Sequence, residues 1–165
     1  MKVMTFAAGG KTSYGVAVDD GVVDVGAKLG GKYADLRAVL AADALAEVAQ
    51  AAEGASPDHK LSDVTFLPVI PNPEKIVCIG LNYKTHMAET GRGDSDYPVH
   101  FVRWADTQVG HDQPMILPKN SDKYDYEGEL AAIIGKEARH VSKADALDYI
   151  AGYSCYNDGS IRDFQ

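Results

Sequence analysis

Cysteine, tryptophan and positive charge are all scarce in this sequence. Cys78 and Cys155 are its two cysteines, in separate apolar segments without metal-type spacing. They read as reduced, buried thiols of a cytoplasmic protein, with a disulfide between them the less favoured alternative. Lys and Arg number 16 against 24 Asp and Glu, a formal net charge of −8. Such a balance argues against nucleic-acid binding, which needs a basic surface to meet phosphates. It also argues against attachment to an anionic membrane. No apolar run is long enough to span a bilayer, and the N-terminus, Met1-Lys2-Val3-Met4-Thr5-Phe6, lacks the apolar core of a signal peptide. An acidic surface does not exclude an anionic substrate, because a bound divalent cation reverses the local field.

What is present suits a soluble globular chain. Hydrophobic residues make up 45% and charged residues 24% of 165, enough for one ordinary domain or two small ones. Residues 2–7 and 14–18 are β-prone, and Asp19-Asp20-Gly21 turns the chain into Val22-Val23-Asp24-Val25, a hairpin signal. A helix is expected over 34–53. Asp35 is placed to cap it, Leu36, Val39, Leu40, Leu45 and Val48 form its apolar stripe, and Gly54 can end it.

Pro68, Pro71 and Pro73 then break the pattern, because proline lacks a backbone donor. The expected division is a small N-terminal domain at 1–70 and a second domain from 71 to 165. Within the second, Lys75-Ile76-Val77-Cys78-Ile79 reads as a buried strand, and Asn82 can cap a short helix over 83–89. Strands are expected at 98–104, 115–117, 126–134 and 153–156. Ser142 with Asp145 resembles a capping box opening a helix through Ile150.

Two groups of residues carry chemistry. On a strand over 126–134, Glu127 and Glu129 point to one face, about 7 Å apart at Cα. Carboxylates that close repel unless they meet water or a cation. Charges on a solvent-facing strand edge, where they discourage aggregation, are the simpler account of the spacing alone. Against it, the strand runs on into Leu130-Ala131-Ala132-Ile133-Ile134, apolar on both faces, and Asp158 ends another apolar strand. Gly128 between the two glutamates leaves room for close backbone approach. An all-oxygen set of Glu127, Glu129 and Asp158 suits Mg²⁺, Mn²⁺ or Ca²⁺ rather than zinc. The second group is His86 and Glu89, neighbours at i,i+3 on a helix, where a carboxylate can orient an imidazole as a general base. In isolation such a spacing is more simply an exposed helix pair. His59, His100, His111 and His140 have no comparable context.

Three segments, in order, resemble the fumarylacetoacetate hydrolase family. Ile76-Val77-Cys78-Ile79-Gly80-Leu81-Asn82-Tyr83-Lys84-Thr85-His86-Met87-Ala88-Glu89 is similar to its lid-helix segment. Asp125-Tyr126-Glu127-Gly128-Glu129-Leu130 is similar to its E-x-E metal strand. Asn157-Asp158-Gly159-Ser160-Ile161-Arg162-Asp163-Phe164-Gln165 is similar to its third metal-ligand segment. The resemblance implies a strand-rich α+β fold, a mixed β-sheet roll preceded by a small N-terminal α/β domain. It implies that Glu127, Glu129 and Asp158 bind Mg²⁺, or Mn²⁺ or Ca²⁺ in its place, and that His86 and Glu89 activate water as catalytic residues. Arg162 and Gln165 match substrate-pocket positions, with Tyr83 and Asn82 as further pocket candidates. Arg103 stands where many relatives have lysine.

The implied function is hydrolytic C–C cleavage of a 2,4-dioxo acid, of acylpyruvate or fumarylpyruvate type, through a metal-stabilised enolate. Decarboxylation, hydration or isomerisation of a related 2-oxo acid, or a non-catalytic truncated relative, are the alternatives. The family pattern continues past Gln165 into a pocket lysine, further strands and a Thr-Gly-Thr loop. The expectation is therefore a longer, homodimeric protein acting on a small oxo acid, of which 1–165 is an incomplete part, unstable or inactive alone.

Overall fold

Turn chemistry lays down the first sheet. Strands β1 (Val3–Ala8) and β2 (Lys11–Val18) pair antiparallel across Gly9-Gly10. Both glycines have positive φ, 54° and 76°, which a two-residue hairpin of matching twist requires. Strand β2 then returns into β3 (Gly21–Asp24) with Val18 facing Gly21, so the turn is Asp19-Asp20 and Gly21 already lies in the strand. Asp19 takes the positive φ, 52°, which aspartate tolerates better than bulkier residues. Short strands β4 (His59–Lys60) and β5 (Thr65–Phe66) complete a five-stranded sheet in the order β4-β3-β2-β1-β5. The computed structural model describes residues 1–89, 91 and 96–165.

Alternation along these strands buries both faces. Tyr14, Val16 and Val23 pack with Leu36, Val39 and Val48 from the helices. Met4, Phe6 and Val22 face the other way, against Leu61, Val64 and Phe66. The helix expected over 34–53 is two helices, α2 (Leu36–Ala41) and α3 (Leu45–Ala52), preceded by a short α1 (Val25–Lys28). Asp43, at φ 53°, makes the break, and the amides of Asp43 and Ala44 bond back to the carbonyls of Leu40 and Val39. The apolar stripe survives because both segments keep their valines on the sheet. Helix α1 was masked in the sequence by Val25, which continues the apolar run of the hairpin. Asp24 starts it, accepting from the Ala27 amide at 2.9 Å.

Asp35 caps α2 as expected, accepting from the Ala38 amide at 2.7 Å. Asp35→Ala therefore lowers unfolding stability by about 1 kcal/mol, the usual worth of an N-cap. Urea unfolding checks this, and an unchanged midpoint at unchanged m-value would refute it.

The chain divides between Ile70 and Pro71 into two compact units, Met1–Ile70 together with Val109–Gln165, and Pro71–Gln108. Segment Val109–Gln165 thus groups with the N-terminal part rather than with 71–108. Gly110 shows how: a Cβ there would lie 2.0 Å from the Phe66 carbonyl oxygen, so only glycine allows this approach. The His111 ring meets the Phe66 ring edge-on at 5.3 Å.

In the unit Pro71–Gln108, β6 (Ile76–Gly80) pairs antiparallel with β7 (Val99–Arg103). The strand read as buried is not: Val77 and Ile79 are 55% and 46% exposed. Among the described residues no second layer covers that face. Helix α4 (Lys84–Glu89) realises the short helix expected after Asn82 and buries no residue.

In Val109–Gln165, β8 (Tyr124–Asp125) pairs with β11 (Ser160–Ile161), and β9 (Gly128–Ile134) pairs antiparallel with β10 (Ile150–Asn157). No strand forms at 115–117. Ser142 and Asp145 do bond, the hydroxyl donating to Asp145 Oδ2 at 2.7 Å, but only a 3₁₀ turn (Ala146–Tyr149) follows before β10 begins. Strand β9 is not buried on both faces, since Leu130 and Ile134 are 67% and 57% exposed. Cys155 is exposed on the neighbouring strand and Cys78 half-buried, both free thiols, so neither is the fully buried residue expected. No described helix is long and apolar enough to cross a membrane.

Candidate functional site

Register places the carboxylates. Across β9 and β10, Gly128 faces Asn157 and Glu129 faces Tyr156. One step beyond, the Asp158 amide donates to the Glu127 carbonyl at 2.8 Å. Directly opposed residues in an antiparallel ladder share a face, as do residues i and i+2. Glu127, Glu129 and Asp158 therefore belong to one face of this hairpin, opposite the exposed Leu130 and Cys155. Glu127 itself precedes β9 instead of lying within it, and its amide donates to Asn157 Oδ1 at 3.0 Å. Asp158 is buried, 4% exposed, while Glu127 and Glu129 are half-buried. No atom lies within 4 Å of the position a Cβ would take on Gly128, so the close backbone approach expected there is absent among the described residues.

Arg162 organises the rest. Its Nη2 and Nε donate to Asp125 Oδ2 at 2.7 and 3.0 Å, and its Nη1 donates to Gln165 Oε1 at 2.8 Å. Nη1 also forms an ion pair with Glu127 Oε1. That oxygen is buried and has no aligned hydrogen bond. The guanidinium holds the Asp125 carboxyl below the usual carboxylate range, and Asp125, with Glu127, holds Arg162 above the usual arginine range. Next to it, the Lys123 ammonium and the Ser121 hydroxyl hold Asp163 low. Gly159 lets the turn between Asp158 and Ser160 pack: a Cβ would lie 2.2 Å from the Met115 methyl and 2.6 Å from the Tyr124 hydroxyl.

Asp125 and Asn157 were missed in the sequence reading. Asp125 extends the row of acids at alternate positions, Asp125, Glu127, Glu129, and that alternation was the available signal. Asn157 had none beyond adjacency to Asp158.

Three carboxylates on one face supply the all-oxygen donor type that a hard divalent cation takes. Their side chains are not drawn together as they stand. Among the described residues no three His, Cys, Asp or Glu side chains lie close enough to hold one ion. Arg162 supplies the positive charge paired with Glu127.

The other sequence candidates lie in the unit Pro71–Gln108. On α4, His86 Nδ1 and Glu89 Oε2 are 3.9 Å apart, an ion-pair distance too long for a hydrogen bond. Tyr83 just precedes the helix and is exposed. Arg103 stacks over the Phe101 ring at 5.7 Å.

A mitochondrial oxaloacetate tautomerase of Xenopus laevis is 39% identical over 104 residues, 63% of this chain and 33% of that protein. Among solved structures, fumarylacetoacetate hydrolase from Exiguobacterium antarcticum superposes with a TM-score of 0.74 at 28% identity, covering 100% of this chain and 58% of that one. Maleylpyruvate hydrolase from Sphingobium, solved with manganese(II) and pyruvate, gives 0.77 at 26% identity, covering 98% of this chain and 60% of that one. The α+β fold is thus the one these hydrolases carry. The chain spans only 30% to 42% of the length of the curated relatives it matches. Its residues 75–165 match the family described as fumarylacetoacetate (FAA) hydrolase C-terminal. By that match, which takes in the carboxylate face, Arg162 and the His86 helix alike, the chain belongs to the fumarylacetoacetate hydrolase family.

Proposed function

We propose that this chain is part of a divalent-metal-dependent enzyme acting on a small 2-oxo acid, with Glu127, Glu129 and Asp158 as the metal ligands. The observation that carries the reading is the β9–β10 register, which sets the three carboxylates on one face. Mg²⁺ or Mn²⁺ held there would polarise the oxo group of the substrate as a Lewis acid. The chain's own residues supply the rest. Arg162, whose Nε and Nη2 are held by Asp125, would turn Nη1, shared between Glu127 and Gln165, to a substrate carboxylate. His86 takes a proton from water, and Glu89, one turn along α4, orients the imidazole.

With water as the nucleophile the reaction is hydrolytic cleavage of a C–C bond in a 2,4-dioxo acid. The hydrolase that superposes on this chain, solved with manganese and pyruvate, favours that reading. A second reading is keto–enol tautomerisation of a 2-oxo dicarboxylate, and the identity to an oxaloacetate tautomerase favours it. It needs the same metal and carboxylate clamp, with His86 moving a carbon-bound proton. Exposed apolar residues on β6 and β7, among them Val77, Phe101 and Val102, also suit association with a second copy, the homodimer of the sequence reading.

The test begins with protein stripped by a chelator. Mg²⁺ or Mn²⁺ is then restored, and two assays run in parallel: loss of the 2,4-dioxo chromophore of acylpyruvates, and enol-to-keto conversion of oxaloacetate. Metal-dependent turnover in one assay selects between the readings. Metal binding without turnover in either would leave a non-catalytic relative.

A further inference from the structure

The backbone platform under Arg162 is short. Strands β8 and β11 pair only Asp125 with Ser160 and Tyr124 with Ile161. Past that ladder the chain runs through Arg162–Phe164 as one 3₁₀ turn. At three residues per turn, neighbouring side chains point roughly 120° apart. Arg162 and Asp163 therefore leave the turn in different directions, yet both reach the segment 121–127. Arg162 takes Asp125 with Nε and Nη2, and Glu127 in a tight ion pair through Nη1. Asp163 takes the other side. Its Oδ1 accepts from Lys123 Nζ at 2.8 Å and its Oδ2 from the Ser121 hydroxyl at 2.7 Å. The same hydroxyl accepts from the Lys123 amide at 3.1 Å, and the Lys123 carbonyl accepts from the Arg162 amide at 2.9 Å. These bonds close residues 121–123 and 162–163 into a ring just beyond the ladder.

We propose that Asp163 is a positioning residue: with Lys123 and Ser121 it forms a clasp that holds the turn, and so holds the Arg162 guanidinium where it meets a substrate carboxylate. The inference rests on the substrate role given to Arg162 above, and adds what keeps that arm in place. Asp125 and Glu127 hold the far end of the side chain, and the clasp holds the backbone it grows from. The Lys123 and Asp163 side chains are 64% and 34% exposed, and exposed ion pairs contribute little to stability. The clasp therefore matters for aim more than for folding. Aim is costly to lose, since a misplacement of about 1 Å can cost on the order of a hundredfold in an enzyme site.

The experiment compares Asp163→Asn, Lys123→Met and the double variant with the unaltered protein. It reads side-chain NMR of the Arg162 Nε–H group, and steady-state kinetics in whichever assay above shows turnover. Asparagine keeps the shape of Asp163 and removes its charge. In Asp163→Asn the Arg162 Nε–H resonance shifts and its exchange with water quickens. KM rises about tenfold while kcat stays within about threefold, the pattern of lost binding and not of lost chemistry. The thermal midpoint falls by no more than about 4 °C, the scale of an exposed ion pair. Lys123→Met breaks the same pair from its more exposed side and has the same effects. The double variant is no worse than either single one, because the two residues act as a unit. Lys123→Arg keeps the charge and the unaltered KM. An Arg162 resonance indifferent to both single variants overturns the proposal and leaves the reading of the site intact. A changed resonance with unchanged KM overturns it too, because the arm is then held for no substrate. An unaltered protein without turnover in either assay overturns the enzyme reading, and this inference with it.

Discussion

Asp158→Asn is expected to lower Mn²⁺ affinity by roughly a hundredfold or more, since even partners that only orient metal ligands cost 10- to 100-fold when removed. Asp158 is the buried member of the carboxylate face, 4% exposed, and its amide is tied to the Glu127 carbonyl at 2.8 Å. Asparagine preserves that backbone bond and the side-chain shape while removing the anionic charge. A thermal midpoint in chelator that holds would separate loss of the cation from loss of folding. Glu129→Gln should weaken Mn²⁺ binding in the same direction. Glu137→Gln, on the exposed loop after β9, is the control and should leave affinity unchanged. Calorimetric titration of the four proteins decides it. If Asp158→Asn binds Mn²⁺ as the unaltered protein does, the ion is not on this face.

His86→Ala is expected to reduce turnover about 10²- to 10⁴-fold, the usual contribution of a general base, while Mn²⁺ affinity stays within about twofold. The split follows from placement, because His86 and Glu89 lie in a different compact unit from the three carboxylates. The 3.9 Å between Nδ1 and Oε2 is longer than a hydrogen bond. Glu89→Gln should then cost less than His86→Ala, because it removes the orienting charge and not the base. Steady-state kinetics in whichever assay shows activity, run beside the metal titration, tests this. Parallel loss of turnover and metal affinity would make His86 structural.

The parts of this molecule that depend on neighbours in the chain were legible without coordinates. Gly9-Gly10 and Asp19-Asp20 turn because φ is a property of the residue itself. Asp35 caps α2 because its carboxylate reaches an amide three residues on. The i,i+2 spacing of Glu127 and Glu129 puts them on one face of any extended segment. The three motif segments, read in order, led to the family that the match over 75–165 shows.

What depended on distant contacts was not legible. The stripe of Leu36, Val39 and Val48 is equally consistent with one helix or two, and the left-handed turn at Asp43 decides for two. The apolar runs at β6 and β9 read as buried because hydrophobicity alone cannot count sheet layers. Only the tertiary arrangement shows which faces meet a partner. Asp125 and Arg162 are 37 residues apart in sequence, and no local pattern pairs them. Pairing of β8 with β11 brings them together, and so sets the Arg162 guanidinium beside Glu127.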